Sequence, residues 1–206
     1  MYLSQLRFDS RHSPVRQCLR DAYHLHATLM SAFQIEAKSP QQLAGVLFRQ
    51  EPQPEGFWIK VLVQSQQLPQ WSLLTERLGP GLQYQSKMIG TIPLQTGQTL
   101  YFRLRANPCL THHRKRQGLI GEANQRQWLA RKAQFNGFQL LYFVVQDEGI
   151  QKSYKQNQLL SIYTVLYQGV LTVTQPAQFL DSLNQGIGPA KSLGCGLLSL
   201  SRCQRE

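Results

Sequence analysis

Acidic side chains are scarce in this chain: 11 Asp and Glu stand against 22 Lys and Arg, a formal net charge of +11. With so few carboxylates, and no group of Asp, Glu, His or Cys at ligand spacing, the sequence gives no sign of a metal centre. The four cysteines, Cys18, Cys109, Cys195 and Cys203, form no CxxC pair. That excludes a zinc ribbon and predicts reduced, mostly buried thiols in a cytosolic protein. No apolar run approaches the ~20 residues that cross a bilayer. The N-terminal "MYLSQLRF" alternates polar and apolar residues and so does not read as the apolar core of a signal peptide. Neither GxxxxGK[ST] nor a GxGxxG following a strand occurs, so no nucleotide cofactor is expected. The absence of a helix-turn-helix pattern disfavours a DNA-binding regulator. These absences predict a soluble, cytoplasmic protein with no membrane, metal or nucleotide partner.

Positive charge is what the chain has in excess. Residues 101–206 hold 13 basic and 5 acidic residues, the larger share of the imbalance. A basic surface of this kind suits a polyanion, because neutralised phosphates release counterions and so drive association. The 206 residues are 42% hydrophobic, enough to build a core as one large domain or two smaller ones.

The order of elements favours two. "MYLSQLRF" (1–8) alternates as a half-buried strand does. Ser13-Pro14 is a helix start, and Cys18, Ala22, Leu25, Leu29 and Phe33 then fall at helical spacing, predicting one helix through this stretch. Strands follow at 43–50 and 56–64, a short helix at 69–79 and a strand at 82–89. The second half repeats the order: a strand at 99–108, a helix at 121–135, strands at 138–146 and 159–173, a helix at 176–186 and a last strand at 195–200. Both halves read βαββαβ, so the expected fold is α+β with two tandem ferredoxin-like, RRM-like domains, 1–90 and 98–206.

Within the first helix, "RDAYHLH" places Tyr23 and His26 three residues apart on one face, with Arg16 and Arg20 preceding them along nearly the same line. An imidazole titrates near neutrality and arginines neutralise phosphate, which is the equipment of phosphodiester chemistry. A surface histidine with no role would look the same. Further on, Arg103 and Arg105 alternate on one strand and lead into the basic loop His112-His113-Arg114-Lys115-Arg116. Adjacent histidines in a basic loop are poor metal ligands, so phosphate contact is favoured. "DEGIQKSYKQNQ" (147–158) reads as a polar hairpin tip with Lys152 and Lys155. "GIGPAKSLGCGLLSL" (186–200) has two readings. Gly186 and Gly188 allow backbone N–H groups to approach a phosphate beside Lys191 and Ser192, or the stretch is a helix C-cap and turn before a buried strand.

This last stretch, with "YFRLRANP" (101–108), "YQGVLTV" (167–173) and the N-terminal "MYLS" and "RDAYHLH", closely resembles the CasE family, the CRISPR precursor-RNA endoribonucleases of type I-E systems. The resemblance spans the chain and implies two ferredoxin-like domains. It implies metal-independent cleavage at the 3′ base of a CRISPR repeat RNA stem-loop, by 2′-OH attack that leaves a 2′,3′-cyclic phosphate and a 5′-OH. It also implies Tyr23 and His26 as the catalytic pair, a glycine-rich loop that helps hold the RNA, and retention of the product with other Cascade subunits. The chain departs from some relatives in lacking a lysine shortly after His26, where it reads "ATLMSAF". The charge of the transition state then falls to Arg16, Arg20, Lys191 or another group. A non-catalytic RNA-binding assembly subunit with the same fold is the alternative.

Overall fold

The computed structural model describes residues 1–33, 45–51, 56–90, 92–112, 115–155 and 158–203, except for the side chains of His112, Lys115 and Lys155. By packing, the chain forms two units. One comprises Met1–Thr91 with Ser153–Leu159 and Ser192–Gly194, the other Ile92–Lys152, Leu160–Lys191 and Cys195–Glu206.

In the first unit the strands are β1 (Tyr2–Asp9), β2 (Leu47–Gln50), β3 (Trp58–Ser65) and β4 (Leu82–Met88). They form an antiparallel sheet in the order β2-β3-β1-β4, the ferredoxin-like arrangement. Alternation along β1 sends Ser4, Leu6 and Phe8 inward. The helices α1 (Ser13–Cys18), α2 (Ala22–Met30) and α3 (Trp71–Leu78) cover that face. Helix α3 buries Trp71, Leu74 and Leu78, one stripe at helical spacing, and the Trp71 indole N–H donates to Ser4 Oγ at 2.9 Å inside the core.

The single helix expected after Ser13 is two helices, and this corrects the alignment of Arg16 and Arg20 with Tyr23. His12 occupies the N-cap of α1 without a side-chain bond, and Leu19 closes that helix. Asp21 then adopts extended geometry (φ −157°, ψ 171°), and its carboxylate accepts from the His24 N–H at 2.9 Å, which starts α2 afresh. The apolar stripe survives the break, with Cys18, Ala22, Leu25, Leu29 and Phe33 all buried.

The second unit repeats the topology with β5 (Thr99–Ala106), β8 (Phe138–Lys155), β9 (Gln158–Val173) and β10 (Leu198–Arg202), ordered β10-β5-β9-β8. Helices α4 (Glu122–Gln134) and α5 (Pro176–Gln185) supply Trp128, Leu129, Phe179 and Leu183 to its core. Two sequence expectations change here. The basic stretch after β5 is, in its described part, a small two-stranded sheet of β6 (Cys109–His112) and β7 (Lys115–Gly118), not an open loop. The polar segment from Asp147 is strand through Lys155, so β8 and β9 make a long hairpin arm instead of a short tip. Asp147 accepts from Tyr163 Oη and from the Gly149 N–H, and Glu148 accepts from Arg105, which ties down the base of that arm.

Candidate active site

In the first unit, α2 presents Tyr23 and His26 half-buried, while Arg16 and Arg20 lie exposed on α1 and in the break. Arg16 points back to its own loop, donating to the carbonyl oxygens of Arg11 at 2.6 Å and Ser10 at 3.3 Å. The ring of His26 lies parallel to that of Phe48, with centroids 6.0 Å apart and 5° between planes. Its Nδ1 is buried and has no hydrogen-bond partner among the described residues. Burial pushes the imidazole below its ordinary pKa, so the neutral form prevails near pH 7. A neutral imidazole at a half-buried site can accept a proton from a hydroxyl and return it to a leaving oxygen.

His24, the neighbouring histidine, is engaged otherwise. Its Nδ1 lies 2.9 Å from the Asp21 carboxylate that caps the helix, and its ring meets Tyr23 edge-on at 6.2 Å. The other oxygen of Asp21 accepts from the Tyr154 N–H at 3.3 Å. The glycine-rich stretch enters this unit through Ser192–Gly194. Ser192 is exposed, and Gly194 sits at φ +81° with the Phe48 ring close behind it: a Cβ there would stand 3.2 Å from Phe48 Cε2.

The remaining basic candidates sit in the second unit or outside the description. Arg105 gives Nε and Nη2 to the two oxygens of Glu148 at 2.7 and 2.6 Å, so its charge is committed to an internal pair. Arg103, its neighbour on the same face of β5, is half-buried, whereas Arg116 and Lys152 are exposed. Arg114 and the side chains of Lys115 and Lys155 lie outside the described residues. Gly186 ends α5 at φ +76°, and Gly188 at φ +83° packs where a Cβ would stand 3.0 Å from the Trp128 ring. Gly188 thus combines a positive φ with a close approach that a side chain would obstruct. Lys191 begins a short 3₁₀ turn; burial, with the nearby Lys132 charge, pushes its pKa below the usual lysine value.

Three participants escaped the sequence reading. Asp21 carried a legible signal, an acidic residue three positions before a helical N–H. Lys132 is one helical turn from Trp128, with Nζ 5.7 Å from that ring, and its nearness to Lys191 arises only on folding. Phe48 reaches His26 through the meeting of helix α2 with a strand distant in sequence, and no local pattern marks it. Among the described residues no three His, Cys, Asp or Glu side chains group to hold a metal ion, and no helix is long and apolar enough to cross a membrane.

Comparison with known proteins places this geometry in a family. A family model described as CRISPR associated protein matches residues 1–202. The CRISPR-associated endoribonuclease Cse3 of Thermus thermophilus is 33% identical over 98% of this chain and 100% of its own length. The CRISPR system Cascade subunit CasE of Escherichia coli is 34% identical over 98% and 99%. The solved structure of Thermus thermophilus Cse3 bound to an RNA representing a pre-cleavage complex superposes with a TM-score of 0.84 at 32% identity, covering 97% of this chain and 98% of that one. The chain belongs to the CRISPR-associated protein family that contains Cse3 and CasE.

Proposed function

We propose that this protein is a metal-independent endoribonuclease that cuts CRISPR precursor RNA at the 3′ base of a repeat stem-loop and retains the product for a Cascade assembly. The observation that carries the reading is His26, a half-buried imidazole kept neutral by burial, in a chain similar over its whole length to an endoribonuclease and to a Cascade subunit. The 2′-OH at the cut site gives its proton to His26 as it attacks the adjacent phosphorus. The bond from phosphorus to the 5′ oxygen breaks, and a 2′,3′-cyclic phosphate and a 5′-OH result. The imidazolium is the natural donor to the leaving oxygen. Tyr23, one turn away on the same helix, orients the phosphate.

The proposed division of labour gives residues 1–90 the catalytic helix and residues 98–206 the basic hairpin arm and glycine-rich loop. Arg116, Lys152, Lys155 and Lys191 follow the RNA backbone, with Arg114 and Lys115 in the same basic stretch and Ser192 at the loop. Gly186 and Gly188 shape the loop. Arg105 serves by anchoring the arm through Glu148. Shape and phosphate contacts suit an A-form stem, whose deep major groove hides its bases. The cytoplasm, where CRISPR transcripts are made, is the place of action. The test is His26→Ala beside the wild-type chain with a labelled repeat hairpin. Wild-type cleavage that the variant loses while binding persists supports the reading. Unchanged cleavage by the variant removes His26 from the chemistry, and wild-type binding without cleavage leaves an RNA-binding assembly subunit.

A further inference from the structure

We infer that Phe48 is the positioning residue for His26, its buried ring acting as the wall that fixes the plane of the imidazole. The inference rests on the reading of His26 as the proton-transfer group. Catalytic imidazoles are usually oriented by a hydrogen bond from the ring nitrogen not facing the substrate, to a carboxylate or a carbonyl. His26 has no such bond: its buried Nδ1 is without a partner among the described residues, which leaves Nε2 for the substrate. The carboxylate closest in sequence, Asp21, is taken by His24 and the Tyr154 N–H.

What His26 has instead is a flat neighbour. Its ring lies 5° from parallel to that of Phe48, within the distance at which offset aromatic pairs attract. Phe48 is itself gripped. It is 1% exposed, stands opposite Val63 in the β2–β3 ladder, and lies so near Gly194 that a Cβ there would stand 3.2 Å from Cε2. A ring buried in a paired strand in this way has little room to leave His26, and it cannot carry water to Nδ1. The same wall is part of the surround that buries the imidazole, and burial is the one cause of its lowered pKa. The ionisable groups on the neighbouring elements contribute no charge to that shift: Asp21, Tyr23 and His24 at the start of α2, Arg16 and Arg20 before it, and Arg49 on β2 with Glu51 just after it, which are paired at 2.9 Å.

The experiment compares Phe48→Leu and Phe48→Tyr with the wild-type chain. His26 is titrated by NMR in the RNA-free protein, and single-turnover cleavage and hairpin affinity are measured alongside. The leucine variant loses the flat face: the His26 pKa moves up toward the ordinary imidazole value and cleavage slows about 10- to 100-fold, the scale of a misplaced catalytic group. Hairpin affinity stays at the wild-type value. The tyrosine variant keeps the face and returns both His26 titration and rate to near wild type. Phe48→Met, which fills the volume without a plane, carries the same expectation if the leucine chain does not fold. A folded leucine or methionine variant with unaltered titration and rate overturns the inference, as does a tyrosine variant as slow as leucine. Failure of the catalytic reading itself is distinguishable: His26→Ala would then cleave normally, while the titration in the Phe48 variants would still report the stack.

Discussion

Asp21 and Tyr154 stand 133 positions apart in sequence, yet the carboxylate of one accepts the backbone N–H of the other at 3.3 Å. The same carboxylate caps α2 through the His24 N–H. One side chain thereby starts the helix that carries Tyr23 and His26 and holds the end of the β8 arm that carries Lys152. Asp21→Ala is expected to cost about 1 kcal/mol, the usual loss for a helix cap, measured by denaturant unfolding.

The pH dependence of that loss has a defined sign. Burial pushes the Asp21 carboxyl up, but the bonds from His24 and Tyr154 outweigh it, and the pKa stands below the ordinary carboxylate value. A depressed folded pKa gives stability that is full above the unfolded value, about 4, and is lost as pH falls through the folded one. The difference in unfolding free energy between wild type and Asp21→Ala is therefore expected to shrink below about pH 4. A difference that grows with acid would mean that the carboxylate is not held by these bonds.

In the core of the first unit, Ser4→Ala leaves the buried Trp71 indole N–H without its acceptor. The expected cost is about 1–3 kcal/mol, the penalty of an orphaned buried donor. Trp71→Phe in the Ser4→Ala background removes that donor and is expected to recover part of the loss in the same unfolding assay.

Periodicity made most of the architecture legible. The burial of Leu25 and Leu29, the stop of α3 before Gly79 and the start of α5 at Pro176 all follow from local rules. The break at Leu19–Asp21 was harder to read, because Cys18 and Ala22 keep helical spacing across it and only the Asp21 cap betrays it. The β6–β7 ladder and the length of β8 were missed because polar, basic strands lack the apolar alternation by which strands are recognised. At the site, a Tyr and a His three residues apart were visible on the helix. Phe48 and the Glu148 that holds Arg105 were not, since both meet their partners through side-chain contacts between elements distant in sequence.

The hairpin arm offers a direct test of where charge meets RNA. Lys152 is exposed on β8, and Lys155 ends that strand. The double variant Lys152→Ala/Lys155→Ala is expected to bind the repeat hairpin more weakly, with the slope of log affinity against log salt shallower by about 0.7–0.9 per lost phosphate contact. The cleavage rate of the bound complex should be preserved. A salt titration superimposable on that of wild type would place the RNA elsewhere.

The central claim is that the RNA's own 2′-OH is the nucleophile and His26 moves its proton without a metal. The most direct measurement incubates two labelled repeat hairpins with the protein in excess EDTA, one all-ribose and one with a single 2′-deoxy nucleotide at the cut site. The account predicts one cut at the 3′ base of the all-ribose stem, ending in a 2′,3′-cyclic phosphate, and no cut in the deoxy hairpin. His26→Ala should slow the all-ribose reaction about 10²- to 10⁴-fold. Cleavage of the deoxy hairpin, or cleavage that appears only when Mg²⁺ or Mn²⁺ is added, would contradict it.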